Sequence, residues 1–134
     1  MGPLEELAAF FHRDAVHTQL PNALFPDGTV RPLPDLIAAA RQGQKLLADQ
    51  HFEVINTVAS GAQVALEVTW TGTLAVSLGD LTAGQALRAR IAAFLEFRDG
   101  KIIAQRNHDC YERLSPAAPG ENGGVRNVFA RELS

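Results

Sequence analysis

The sequence predicts a single α+β domain in which helices come first and a run of long antiparallel strands follows. Apolar residues recur at helical spacing in the first fifty positions, and from Val64 onward they alternate with polar residues in steps of two. A turn signal, Asp99-Gly100, separates two strand-like runs and indicates a β-hairpin. We therefore expect helices packed on the concave face of a bent antiparallel sheet.

Length and composition limit the possible partners. The 134 residues, 46% of them hydrophobic and 20% charged, suit one domain with a sizeable core. The net charge of −3 comes from interspersed acids and bases, so no basic stripe is available to neutralise phosphates. No apolar run approaches the ~20 residues that span a bilayer, no signal peptide is evident, and the single Cys110 excludes an intrachain disulfide. We expect a cytoplasmic protein that binds neither nucleic acid nor membrane.

Two helices are predicted. The first begins at Pro3, and its apolar residues Leu4, Leu7, Ala8 and Phe11 share one stripe. A short strand at 15–20 and a turn-rich loop at 21–28 follow, and the loop is long enough to be functional. The second helix opens at Pro34 and continues through about Asp49.

A β meander occupies the second half of the chain, beginning near Phe52. One face of the strand predicted at 64–76 is apolar and carries Val64, Leu66, Val68, Trp70 and Leu74. The next strand places Leu87, Ala89, Ile91, Ala93 and Leu95 on the same, inner face. In both strands the inner face is identified by apolar residues that recur at every second position.

The return strand of the hairpin has two possible registers. A two-residue loop at Asp99-Gly100 would turn inward Ile102, Ala104, Arg106, His108 and Cys110. A three-residue loop with Gly100 as a bulge would instead turn inward Ile103, Gln105, Asn107, Asp109 and Tyr111. The hairpin residues alone leave both registers open.

The order of these elements, together with the stretches at 11–16, 70–73 and 97–102, resembles the polyketide cyclase (SnoaL)-like branch of the nuclear transport factor 2 superfamily. That superfamily includes ketosteroid isomerases and limonene epoxide hydrolases. The resemblance covers 4–111 and implies a cone-shaped α+β barrel around a small-molecule pocket, with a homodimer formed through the outer sheet face. It places the domain at 1–114 and leaves 115–134 as a Pro/Gly linker and a C-terminal segment.

Family members begin with a longer helix ahead of the short one, and this helix is missing here. The resemblance therefore implies an exposed apolar gap at one end of the cone. The C-terminal segment contains the apolar pair Val128-Phe129 and could form a helix or an extended tail. We expect it to dock over the gap, on its own domain or on the partner subunit.

The catalytic residues of the limonene epoxide hydrolases and of the ketosteroid isomerases are both absent from this sequence. The positions aligned with the epoxide hydrolase residues hold His17, Gln19, Val68, Trp70 and Asn107. The two acids of ketosteroid isomerases align with Gln19 and Ala93. Both alignments place Ala93 and Asn107 on the inner face together, and this favours the bulged turn.

The resemblance and this register select the candidate site. His17 and Asp109 are the predicted proton-transfer pair. The predicted ligand-binding residues are Gln19, Trp70, Ala93, Gln105, Asn107 and Tyr111. As alternatives, His17 could lie at a loop edge, and Asp109 could form an ion pair with Arg88 or Arg90. The spacing of the remaining histidines indicates no metal site, and we expect no cofactor.

Three functions fit these observations. The first is a cofactor-independent isomerase, cyclase or hydrolase acting on a small apolar or carbonyl-bearing molecule. The second is a non-catalytic small-molecule-binding protein, and the third is a protein-interaction module. A common cavity containing both His17 and Asp109 would favour the enzyme.

Overall fold

A computed structural model describes residues 3–112 of the chain; the predicted linker and C-terminal segment lie outside the described residues. The elements in order are α1 (Pro3–Ala9), β1 (Phe11–Gln19), β2 (Thr29–Pro32), α2 (Leu33–Leu46), β3 (Leu47–Ser60), β4 (Gln63–Leu74), β5 (Ala86–Arg98) and β6 (Lys101–Tyr111). Neither described helix is long and apolar enough to cross a membrane.

The six strands form one curved, unclosed sheet in the order β2-β1-β6-β5-β4-β3. All neighbours are antiparallel except β1 and β6, which run parallel. Helix α2 packs on β1, β2 and β3, and α1 packs on α2 and β1. The predicted α+β fold with helices on a bent sheet is confirmed.

Long-range strand pairing moves several predicted boundaries. Helix α2 ends at Leu46, and the chain then enters β3 directly, because Leu47 and Asp49 pair with residues of β4. The predicted helix end at Asp49 was wrong for this reason. Strand β1 begins at Phe11, earlier than predicted, because Phe11 pairs with Ile102. Strand β2 was not predicted; it forms by pairing with the end of β1.

The hairpin turn differs from the prediction, and so does one inward residue: Ile102, not Ile103, is buried in the core. Asp99 and Gly100 both have positive φ angles, 54° and 76°, so they form a two-residue loop rather than the three-residue loop we favoured. One residue beyond the pair Phe97 and Ile102, an extra residue, Ile103, interrupts the ladder as a β-bulge. Beyond the bulge, Gln105, Asn107, Asp109 and Tyr111 lie opposite Leu95, Ala93, Ile91 and Ala89.

Two apolar clusters lie on the inner face of the sheet. One cluster contains Leu24, Phe25, Leu46, Trp70, Leu74, Leu78, Leu81, Leu87 and Ala89. The other contains Phe11, Ala15, Ala93, Leu95 and Ile102 and packs against Leu33 and Leu36 of α2. Ile91 contacts both clusters, so the inner face of β5 joins them.

The edge strand β3 is poorly covered. Phe52 and Val54 pair with Trp70 and Val68, which places them on the inner face, yet they are 58% and 54% exposed. Among residues 3–112, no helix covers this part of the sheet well enough to bury them. The inner face of β3 therefore presents an exposed apolar area.

Candidate functional site

A cavity of about 500 Å³ lies between the inner face of the sheet and the two helices. Its lining is mainly apolar and includes Leu24 and Phe25 from the loop after β1 and Leu36 from α2. Leu7 of α1 and Phe52 of β3 also line it and are more than a third exposed, so they mark its open side. A mainly apolar cavity of this size with a few polar groups is typical of small-molecule sites.

Six of the eight predicted site residues line this cavity: His17, Gln19, Trp70, Asn107, Asp109 and Tyr111. Ala93 is buried in the second apolar cluster instead. Gln105 is not part of the described lining; its Nε2 donates to Asn107 Oδ1 at 2.9 Å. Ala93 and Gln105 therefore support the cavity wall from beside or beneath it.

Two neighbours hold the carboxyl group of Asp109. Its Oδ2 accepts hydrogen bonds from Gln19 Nε2 at 2.6 Å and from the Tyr111 hydroxyl at 3.0 Å. Its Oδ1 is buried and has no hydrogen-bond partner among the described residues. The alternative ion pairs with Arg88 and Arg90 are not formed: both arginines are exposed on the face of β5 opposite to Ile91, the residue that faces Asp109, and Arg88 instead lies 3.6 Å from Glu112.

Burial shifts the pKa values of Asp109 and Tyr111. Desolvation raises the pKa of Asp109, although the Tyr111 hydrogen bond and the neighbouring His108 work in the opposite direction. Burial, followed by the negative charge of Asp109, also raises the pKa of Tyr111. At neutral pH the tyrosine is therefore a stable donor, and the carboxyl group is a stronger base than an ordinary aspartate.

His17 lies inside the fold rather than at a loop edge. It is only 9% exposed and pairs across the β1–β2 ladder with Arg31. Burial, with a smaller contribution from the Arg31 charge, lowers its pKa from 6.5 to about 4, so the ring is neutral at pH 7. Its Nδ1 is buried and has no hydrogen-bond partner within residues 3–112.

His17 and Asp109 share the cavity but are not in contact. His17 pairs with Gln105, four residues before Asp109 on the neighbouring strand β6. With a rise of about 3.3 Å per residue and a strand spacing of about 4.8 Å, their Cα atoms are roughly 14 Å apart on a flat sheet. The two donors to the Asp109 carboxyl group are Gln19 and Tyr111 rather than His17, so a proton passing between His17 and Asp109 would travel through a bound molecule or water.

Trp70 forms the wall beside Tyr111. A Cβ atom at Gly72 would lie 2.7 Å from the indole, so the absence of a side chain there allows the ring to lie across the sheet. The indole Nε1 donates to Gln50 Oε1 at 3.0 Å. The Trp70 and Tyr111 rings meet edge to face with centroids 6.2 Å apart. This contact helps to hold the tyrosine hydroxyl against Asp109.

Sequence reasoning missed Arg31, Gln50 and Phe52, all of which line the cavity. Arg31 is 9% exposed whereas its neighbour Val30 is 71% exposed, which shows that the arginine of β2 faces inward. Its Nη1 donates to Thr29 Oγ1 at 2.9 Å, and its guanidinium lies 5.7 Å from the centre of the Phe25 ring. The sequence signal that could have revealed β2, and with it Arg31, is the β-prone stretch that follows the turn at Gly28.

The described residues contain no group of three or more His, Cys, Asp or Glu side chains placed to hold a metal ion. Cys110 is exposed and does not line the cavity. The chemistry available at the site is therefore that of one carboxyl group, one neutral imidazole, one guanidinium and several amide and hydroxyl groups.

Several solved structures share this fold. IdmH of Streptomyces antibioticus, provisionally described as a polyketide cyclase, is 23% identical with a TM-score of 0.69, and the match covers 81% of each chain. A SnoaL-like polyketide cyclase of Agrobacterium tumefaciens is 19% identical with a TM-score of 0.59, covering 79% of this chain and 77% of that one. An LEH-like epoxide hydrolase of M. tuberculosis is 15% identical with a TM-score of 0.61, covering 94% and 79%.

At these identities the structural matches establish the fold and nothing more. No curated protein sequence matches the chain significantly. The family model for the SnoaL-like domain matches residues 2–105, which is most of the chain. This protein belongs to the SnoaL-like domain family, within the larger group of nuclear transport factor 2-like folds.

Proposed function

We propose that this protein is a cofactor-independent enzyme that moves protons on an enolisable carbonyl compound, in a cyclisation or an isomerisation, with Asp109 as the base. One observation carries the proposal. The Asp109 carboxyl group lies in the wall of an apolar cavity with Oδ2 held by two donors, while Oδ1 has no hydrogen-bond partner among the described residues. An oriented carboxyl group with one uncommitted oxygen is suited to general acid-base catalysis.

The reaction needs no co-reactant. Asp109 removes a proton from the carbon next to a carbonyl group, and the electron pair of that C–H bond forms an enolate. In a cyclisation, the enolate carbon bonds to a second carbonyl carbon of the same molecule, and Asp109 returns the proton to the resulting alkoxide. In an isomerisation, the proton returns to a different carbon. The raised pKa of Asp109 supports both steps, because it brings the base closer to working pH.

Neighbouring groups have supporting roles in this scheme. Gln19 and Tyr111 orient the carboxyl group through Oδ2. His17, neutral at pH 7, can hydrogen-bond a carbonyl oxygen or the enolate oxygen. The predicted acid-base role of His17 stays a prediction; its low pKa makes it a weaker base than Asp109 in this site.

Two similar structures, those from Streptomyces antibioticus and Agrobacterium tumefaciens, are described as polyketide cyclases. Polyketides carry enolisable carbonyl groups, so cyclisation of such a substrate is the reaction class that best fits both the relatives and the cavity. Because these proteins share less than a quarter of their residues with this chain, they support the proposal without carrying it.

A second candidate is a non-catalytic protein that binds a small apolar molecule. It is favoured by the burial of Asp109 Oδ1 and His17 Nδ1, because a group with little solvent access exchanges protons less readily. In this case the polar groups would only fix the orientation of the ligand.

Hydrogen-deuterium exchange on a model ketone separates the two candidates. We would incubate 2-tetralone in D₂O with the protein and follow its α protons by NMR. The wild type should accelerate exchange, and Asp109→Asn should lower the acceleration by roughly 10²- to 10⁴-fold, the range typical of a lost general base. Asp14→Asn, the same chemical change at an exposed position of β1, is the matched control. Binding of 2-tetralone without accelerated exchange would favour the non-catalytic protein.

A further inference from the structure

We infer that the natural substrate carries a carboxylate, which binds at the Arg31 end of the cavity while the reacting carbon lies at Asp109. This inference rests on the proposed function, because it specifies the substrate class of the same cavity. It also assigns a specificity-determining role to a residue that the catalytic scheme does not use.

The distribution of charge is the first argument. Among the described residues that line the cavity, only Arg31 and Asp109 carry a formal charge at neutral pH. The remaining lining is apolar or neutral and polar. Arg31 is 9% exposed, so its positive charge faces a poorly solvated space in which attraction to an anion is stronger than in water.

The second argument is how firmly the guanidinium is held. Thr29 Oγ1 accepts from Nη1 at 2.9 Å, and the Phe25 ring lies 5.7 Å beneath the guanidinium carbon. Phe25 itself is buried in the apolar cluster that contains Leu24 and Trp70. These contacts orient the planar group in advance, and a planar fork of donors is the geometry that matches a carboxylate.

The third argument is the separation of the two charges. Arg31 pairs with His17 on β1, and His17 pairs with Gln105 on β6, so Asp109 lies two strands and four residues away from Arg31. On a flat sheet this places the two Cα atoms roughly 16 Å apart. The nearby acid that stabilises the Arg31 charge is Asp35 of α2, not Asp109. A substrate can therefore place an anionic group at one end and a C–H acid at the other.

The protonation of the other groups supports this arrangement. His17, next to Arg31, is neutral at pH 7 and does not add a competing positive charge. Burial raises the pKa of Asp109, which reduces its tendency to repel an incoming anion.

The competing explanation is that Arg31 is purely structural and serves contacts within the protein, such as those with Thr29 and the exposed Asp35. Equilibrium dialysis with two probes of equal shape, 2-naphthoate and 2-naphthamide, distinguishes the explanations. The wild type should bind the carboxylate at least tenfold more tightly than the amide. Arg31→Gln should bind both probes equally, with circular dichroism verifying its fold.

Two further variants keep the test decisive. Asp35→Asn removes the acid that competes for Arg31, so the preference for naphthoate should increase even if Arg31→Gln does not fold. Asp109→Asn should retain the preference while losing α-proton exchange on 2-tetralone. A wild type that exchanges α protons but shows no carboxylate preference would overturn this inference and leave the proposed function intact.

Equal retention of the two probes by the wild type, including no retention of either, overturns the inference. So does a preference that persists in folded Arg31→Gln, or one that Asp35→Asn leaves unchanged. A wild type that prefers the carboxylate but does not accelerate α-proton exchange would instead count against the proposed function alone.

Discussion

The buried, neutral His17 should make the protein less stable in acid. Its pKa falls from 6.5 to about 4 on folding, chiefly because burial removes water from the ring. Below pH 6.5 the unfolded chain binds a proton at this histidine that the folded chain does not bind. Stability is therefore lost as the pH falls from 6.5, and the loss levels off below about 4.

The size of the effect follows from the shift. Each pKa unit corresponds to about 1.4 kcal/mol, so the free energy of unfolding should fall by about 3 kcal/mol across this pH window because of His17. The raised pKa of Asp109 has the opposite sign, since the folded chain binds a proton there first and gains stability in acid. The wild-type profile alone would mix these two contributions.

A difference between variants isolates His17. We would measure urea unfolding of the wild type and of His17→Asn from pH 4 to pH 7.5, using the fluorescence of the single tryptophan, Trp70. Asparagine stays neutral throughout, so the stability of the wild type relative to the variant should decrease by about 3 kcal/mol between pH 7 and pH 4.

The matched control is His51→Asn, because His51 is exposed on the edge strand β3. Its profile provides the baseline for a histidine-to-asparagine change at an exposed position. A profile for His17→Asn no steeper than this baseline would refute the conclusion that His17 is buried and neutral in the folded protein.

Two other predictions concern surfaces. We predict a homodimer through the outer sheet face, where Phe94 is 40% exposed and meets His108 edge to face, so sedimentation at micromolar concentration should show about twice the mass of 14.4 kDa. A species of 14.4 kDa alone would refute it. We also predict that deleting the residues after Ser115 lowers the melting temperature or the solubility, because we expect that segment to dock over the apolar area around the exposed Phe52 and Val54. An unchanged melting temperature and solubility in the truncated protein would refute this second prediction.

Local patterns were sufficient to determine the faces of the central strands. Successive side chains of a strand point to opposite faces, so the alternation in β4 and β5 identifies the inward residues without knowledge of their partners. The buried residues Val68 and Trp70 of β4, and Leu87 and Ala89 of β5, are those that the alternation predicts. The two helices were also predictable from a local pattern, the helical spacing of their apolar residues, apart from their ends.

The local sequence did not determine how the return strand of the hairpin, β6, pairs with β5. The turn at Asp99-Gly100 by itself would direct Arg106 and His108 inward. The bulge at Ile103 shifts the ladder by one residue, and nothing in that apolar residue distinguishes a bulge from an ordinary strand position. The family alignment led to the correct inward residues from Gln105 to Tyr111 through an incorrect turn, and it placed Ile103 inward where the structure buries Ile102.

The sequence by itself determined which titratable groups the protein possesses, the faces of the central strands and the fold class. Only the tertiary structure decided that Arg31 joins the cavity, because its strand exists only through pairing with β1. It also decided that His17 is neutral and distant from Asp109. The physical reason is that burial, and hence pKa, arises from contacts between residues far apart in the chain, whereas periodicity records only which way a side chain points.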